Sequence, residues 1–446
     1  MASNLRVDSI VPATGSSVSI GTATGGVNIP GVLTYEDVTN VDSVGVITAR
    51  SGIRIAAGST VGPVSGIVTY FGDGSQLTGI NTAFGSGTSI NTSGIITATA
   101  FIPTTGQLSH RNIIINGAIT VAQRMSSHST GGQNLTGIKT ADRFGLDFSG
   151  TDNTPTQIPG TVASGTTPYT LGFRKTYKIT NGNQTSGAGT ADRMTVEYKV
   201  EAQDMATCGW NYLSSSSYIT LSYWVKSSVA QNFYNTFKND DGTSQRYVTE
   251  TGSLTANTWT KITKTIPGNS NLIFNNDNGE GLEITWELFR GTDQTGTRPL
   301  NAWAAADNAT RTPDQTSTWY TTNDATFEIT GVQLEVGPVS TPFEHRSFTE
   351  ELLRCMRYYE GVYMTDGTAM MKSYASYGGS ANFEYQFKVE KRTTPTFSLE
   401  GNASWSGATP NTFESRSACL FQHNGGTLFS LGDAHDDLCA SFTAEL

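Results

Sequence analysis

Between residues 194 and 336 apolar and polar side chains alternate with a period of two, the mark of strands that bury one face. Met194-Thr195-Val196-Glu197-Tyr198-Lys199-Val200 carries its apolar groups on one side. Ile219, Leu221, Tyr223 and Val225 repeat the pattern, as do Leu282, Ile284, Trp286 and Leu288. Asn181-Gly182-Asn183, Asp240-Asp241-Gly242 and Asn275-Asn276-Asp277-Asn278-Gly279 separate such segments with residues that tolerate turn backbone. Several half-buried strands spaced in this way predict a two-sheet sandwich over 108–345. The alternation of Phe327 to Val336 changes parity around Gly331, as one extra residue in a strand requires, so a β-bulge is expected there.

The period changes once. Ser347 and Glu350 form a capping box, Glu350 and Arg354 stand four apart, and Phe348, Leu352, Cys355, Met356 and Tyr359 share a stripe, predicting a helix from Phe348 to about Tyr359. A smaller β-rich module follows to Leu446, with Phe383, Tyr385, Phe387 and Val389 in alternation.

Before residue 108 the pattern is different again. Gly31-Val32-Leu33-Thr34, Gly45-Val46-Ile47-Thr48, Gly66-Ile67-Val68-Thr69 and Gly94-Ile95-Ile96-Thr97 are one phrase repeated at offsets of 14, 21 and 28 residues. Each unit is too short to bury a face alone and needs neighbours. The segment has too little apolar content for a core of its own and too little charge to remain disordered by repulsion; Lys139 is the first lysine of the chain. Packing against identical chains resolves the conflict, so 31–107 is expected to form an elongated trimeric stem. The expected fold class is therefore all-β: repeat stem, jelly-roll sandwich at 108–345, and one short helix with a small β module at 346–446.

Composition narrows the function classes. With 48 glycines, 36% hydrophobic and 15% charged residues, the chain suits β-structure. A net charge of −10 and no cluster of Lys and Arg argue against nucleic-acid binding. Nothing approaches 18 consecutive apolar residues and Met1-Ala2-Ser3-Asn4 opens without a signal-peptide pattern, so neither membrane insertion nor secretion is expected. Cys208, Cys355, Cys419 and Cys439 lack metal spacing and read as buried thiols of a protein made in a reducing cytosol.

Several segments carry a resemblance. Asn4-Leu5-Arg6-Val7-Asp8-Ser9-Ile10-Val11-Pro12, the repeat turn Gly72-Asp73-Gly74-Ser75 with Leu77-Thr78, Asn112-Ile113-Ile114-Ile115-Asn116-Gly117, Gln123-Arg124, Thr140-Ala141-Asp142-Arg143-Phe144 and Gly331-Val332-Gln333-Leu334-Glu335-Val336-Gly337 occur in that order. Together with Thr341-Pro342-Phe343-Glu344 and Arg354-Cys355-Met356-Arg357-Tyr358-Tyr359, the set resembles bacteriophage tail fibres, most closely those of marine cyanobacterial viruses, with a carbohydrate-binding-like jelly roll. The chain departs from that pattern at Val121-Ala122, where the family often carries a Trp, and its last module matches no known part. The resemblance implies a virion protein assembled in the host cytoplasm as a homotrimer. Residues 1–30 would dock to another tail or baseplate protein, and the modules beyond the stem would bind a host surface glycan. A structural fibre, capsid decoration or connector, and a glycan-cleaving tailspike, are the alternatives.

Sugar recognition needs exposed aromatic faces beside amide and carboxylate groups. Trp224 leads the candidates because it occupies the polar phase of its strand; Trp210, Tyr212, Trp303, Trp319 and Tyr320 follow from loop-like contexts, and Trp286 is assigned to the core. No cofactor is expected. Calcium is the one conceivable ion, at Asp240-Asp241 or Asn275 to Glu280, although those runs read first as solvated turns. No catalytic motif is present. Glu283 and Glu287 are expected on a flat solvent face that defines no pocket, and His435-Asp436-Asp437 reads as a polar loop, so the chain is not expected to be an enzyme.

Overall fold

The computed structural model describes residues 11–12, 14, 109–124, 136–364, 371–372, 374–375, 380–400, 403–407, 409–424, 429–432 and 437–446. The repeat stem, and the attachment segment except Val11, Pro12 and Thr14, lie outside the described residues. The chain divides into two units, Met1–Ile96 and Thr97–Leu446, and everything below concerns the second.

Eleven strands build the sandwich. β1 (Gly145–Ser149), β4 (Arg193–Glu201), β9 (Glu280–Arg290), β6 (Asn232–Asn239), β7 (Gln245–Ser253) and β10 (Trp303–Ala305) form a six-stranded sheet in that spatial order. β2 (Thr156–Thr161), β3 (Lys175–Thr180), β11 (Thr326–Val336), β5 (Tyr218–Ser227) and β8 (Thr260–Pro267) form a five-stranded one. Neighbours in both sheets are antiparallel. The alternating residues meet between the sheets: Met194, Val196, Ile219, Leu221, Tyr223, Val225, Leu282, Ile284, Trp286 and Leu288 are all buried there. The Trp286 ring stands edge-on to Tyr223, with centroids 5.6 Å apart, and that contact crosses from one sheet to the other.

The bulge lies where parity changes. The register of β11 against β5 slips between Thr330 and Gln333, and Gly331 adopts φ +62°. A Cβ there would come within 2.6 Å of the Phe173 ring, so both backbone and space require glycine.

Segment 109–124 is stitched to the end of β11. The Asn112 Nδ2 donates to the Val332 carbonyl (3.0 Å), and its Oδ1 accepts from the Ile114 and Leu334 amides. Asn116, at φ +63°, donates to the Val121 and Asp142 carbonyls. Asp142 in turn accepts from the Gln123 amide and side chain. The Asn-Ile-Ile-Ile-Asn and Ala-Asp-Arg-Phe phrases are thus framework, spent on satisfying buried backbone.

The helix is shorter than its sequence stripe. It runs Phe348–Met356, with Ser347 Oγ accepting from the Glu350 amide (3.2 Å) and Arg354 paired to Glu350 (3.0 Å). Tyr359 instead opens the strand Tyr359–Met364, paired with Asp437–Thr443, because a sheet partner is available for that backbone. Phe348 points to solvent at 58% exposure, leaving Cys355, Met356 and half-buried Leu352 to pack. The C-terminal module consists of small antiparallel sheets over an aromatic core of Phe397, Trp405, Phe421 and Phe442. Phe383, Tyr385 and Phe387 pack against it, while Glu384, Gln386 and Lys388 between them are exposed. Within it the fully buried Lys391 ammonium meets Glu360 at 2.5 Å.

Candidate functional site

At the free edge of the six-stranded sheet, β10 lays Trp303 opposite Tyr247 of β7. The two rings pack at 5.3 Å, and the indole N–H donates to the Pro267 carbonyl (2.7 Å), which fixes the ring while leaving it half-buried. Beside it runs a groove of about 540 Å³ lined by Thr243, Gln245, Ser270, Asn271, Ile273 and Trp303. Ile273 is 45% exposed and is held in place by Asn239, whose Nδ2 donates to its carbonyl (2.7 Å). Gly242, at φ +72°, makes room for it: a Cβ would stand 2.5 Å from the Ile273 Cδ1. The groove thus offers an indole and a branched aliphatic surrounded by hydroxyl and amide groups, a surface able to cover the apolar face of a pyranose and bond its hydroxyls.

Tyr212 belongs to the same end of the sandwich. It is half-buried, stands edge-on to Phe274 at 4.8 Å, and accepts at its carbonyl from the Asn269 amide (2.7 Å). Segment 267–274 therefore has Trp303 against its start and Tyr212 against its middle and end. Trp224 lies elsewhere. It is half-buried on the outer face of the five-stranded sheet, between Thr330 of β11 and Lys261 of β8, in the phase its strand pattern assigned.

Three candidates are corrected. Trp210, Trp319 and Tyr320 are 3%, 0% and 1% exposed, so their rings offer no face to a ligand. Trp319 and Tyr320 sit on the short helix Thr318–Thr321 that plugs the sandwich: Trp319 Nε1 donates to the Thr326 carbonyl (3.1 Å), and Tyr320 stacks on Phe289 at 4.4 Å. Trp210 packs against Phe274 and Tyr212. Irregular backbone marks no residue as exposed when the segment folds back over an open sandwich end.

The acidic positions also need correction. Glu287 is 1% exposed rather than solvated; it accepts from Thr195 (2.8 Å), Thr285 (2.8 Å) and Arg290 Nε (2.7 Å). The connection after β9 covers this part of the sheet face, with Arg246 donating to the Asp307 carbonyl (2.7 Å). Glu197, which sequence reasoning passed over, has a carboxyl pushed up to about 7 by burial first and then by Glu283 and Asp147. Its polar phase on β4 was legible, but the carboxylates that act on it, Glu283 of β9 and Asp147 of β1, come from strands distant in sequence. The two oxygen-rich turns do meet, through Asn275 N–H and Nδ2 donating to Asp241 (3.0 and 2.8 Å). Among the described residues no three His, Cys, Asp or Glu side chains are arranged to hold a metal, and residues 433–436 lie outside them. No described helix is long and apolar enough to cross a membrane.

No protein-family model matches the chain, and the search of curated proteins gives no match. Among solved structures the chain is similar to the enzymatically active domain of tailspike protein 4 of bacteriophage CBA120, at 12% identity over 49% of this chain and 22% of that one, with a TM-score of 0.25. It is also similar to a CBM4 structure (11% identity, 50% of this chain and 98% of that one, TM-score 0.25). A third is the N-terminal cellulose-binding domain of Cellulomonas fimi β-1,4-glucanase C (9%, 44% and 90%, TM-score 0.23). Likeness at these scores adds nothing to the sandwich already defined by the chain's own strand order.

Proposed function

We propose that this chain is a receptor-binding fibre protein of a tailed phage that attaches the virion to a host surface glycan, without cleaving it. The observation that carries the reading is the Trp303 groove, in which a fixed, half-buried indole and exposed Ile273 are ringed by Thr243, Gln245, Ser270 and Asn271. The order of the tail-fibre-like phrases along the sequence supports it. In this reading residues 1–30 anchor the protein to another tail or baseplate component, 31–107 serve as a three-chain stem, and the sandwich carries the groove. A shallow groove binds one sugar weakly. Three on a common stalk bind a repetitive polysaccharide firmly, because the second and third contacts form at high effective concentration.

Trp303→Ala tests this. Binding of the full chain to polysaccharide extracted from a host envelope is expected to weaken about tenfold per site, about 1.4 kcal/mol, with circular dichroism unchanged and no oligosaccharide released by either protein. Unchanged binding in the variant would remove the groove from the mechanism, and oligosaccharide release by the parent chain would turn the reading to a tailspike enzyme.

A further inference from the structure

None of the side chains that line the groove beside Trp303 is charged. The charges on the flanking segments are either spent or of one sign. Asp240 takes the Lys238 ammonium at 2.5 Å and accepts from Ser244 Oγ (2.6 Å). Arg298 is 8% exposed and directs its guanidinium at the Ala304, Ala305 and Arg246 carbonyls. Asp241 stands next to the Gly242 that bears on Ile273, and the charged groups that act on it are the carboxylates Asp277, Asp240 and Glu280.

Gln245 adds a fixed hydrogen-bonding direction to this neutral lining. The residue is 4% exposed, and its Nε2 donates to the Thr243 and Ser244 carbonyls, at 3.2 Å each. Two carbonyl partners settle which end of the amide is nitrogen, so Oε1 is the free end. It accepts from no group among the described residues and is not sealed from solvent. A held acceptor is satisfied by an O–H group. A carboxylate or sulfate oxygen has no hydrogen to give it, and two acceptors left facing each other cost free energy. An anion entering this groove would also shed water without gaining a countercharge.

We propose that the groove selects neutral sugars over uronic, sulfated or otherwise anionic ones, and that Gln245 makes the choice by accepting from a ring hydroxyl at Oε1. The Thr243 and Ser270 hydroxyls and the Asn271 amide each donate as well as accept, so they serve the remaining hydroxyls of the same pyranose. Asp241, two residues before Thr243, adds a negative charge that repels an acidic chain. This selectivity rests on the groove being the glycan site proposed above.

Polysaccharide extracted from a host envelope and split by anion exchange into neutral and acidic fractions tests it, with the full chain at low ionic strength. The neutral fraction is expected to bind about tenfold more tightly than the acidic one. Gln245→Met keeps the bulk and removes the acceptor; it should lower neutral binding about fivefold and leave the weak acidic binding unchanged, so that the ratio narrows. Acidic binding that equals or exceeds neutral binding, yet still falls in Trp303→Ala, would overturn the selectivity and leave the groove as the glycan site. Neutral binding that ignores Trp303→Ala would remove the groove itself and the selectivity with it. Neutral binding that ignores Gln245→Met would take the choice away from that residue. The comparison of fractions on the parent chain decides the selectivity even should the methionine variant fail to fold.

Discussion

Glu197 illustrates how burying a single carboxyl makes stability depend on pH. Burial and the neighbouring Glu283 and Asp147 raise its carboxyl to about 7, with Glu287 adding to the effect and Lys199 opposing it. Because the folded pKa lies above the unfolded one, the native state is favoured where the group is protonated in both states, and that advantage fades as pH rises from about 4.5 through about 7. Glu197→Gln is therefore expected to match the parent in stability near pH 4 and exceed it at pH 8, by on the order of 1–3 kcal/mol. Urea unfolding at the two pH values measures the difference, and an equal midpoint shift at both would refute it. Glu445 behaves in the reverse sense: burial would raise its carboxyl, but Arg143 and Arg124 hold it below the usual range. Its contribution is present above that range and is lost on acidification.

At the scale of elements, Gly331 is the most constrained position of β11. Gly331→Ala places a side chain in a left-handed backbone and against the Phe173 ring, and is expected to cost about 1–3 kcal/mol, read as a lower urea midpoint with an unchanged slope. The bulge was legible because a parity change in an otherwise alternating strand has few other causes. The same alternation placed Trp286 inside and Trp224 outside, since a strand's two faces are fixed once one is known. Where no period exists the sequence is silent: nothing local separates Trp303, left half-exposed at an edge strand, from Trp319, sealed inside by a four-residue helix. The helix end was misjudged for a related reason, because Tyr359 continues the apolar stripe yet its backbone is claimed by the strand Asp437–Thr443, some 80 residues away.

In the molecule as a whole, sandwich and C-terminal module are not separable parts joined by a linker. Arg357 grips Glu201 at the end of β4 with two hydrogen bonds (2.7 and 2.8 Å), the Tyr358 hydroxyl adds a third (2.5 Å), and Gln123 donates to the Tyr359 carbonyl (2.8 Å). A chain ending at Arg346 would strip Glu201 of these donors and leave Arg124 and Arg143 without Glu445. Buried charges deprived of partners cost about 3–5 kcal/mol, so the truncated protein is expected to melt several degrees lower or to be recovered insoluble. Differential scanning calorimetry decides the matter, and an unshifted melting temperature would contradict the coupling. An adsorption assay on that truncation would accordingly report damage to the sandwich as well as loss of the module. A point variant of Trp303 avoids that damage.

The anchorage of Asn112 has a mechanical corollary. Its bonds reach Val332 and Leu334 of β11, and β11 is the middle strand of its sheet, with β3 on one side and β5 on the other. The β3 ladder ends at Ile329, so at Val332 and Leu334 β11 has β5 on one side and segment 112–114 on the other, and tension along the polypeptide that leads into Asn112 would load the few bonds of that added row before it reached the β5 ladder.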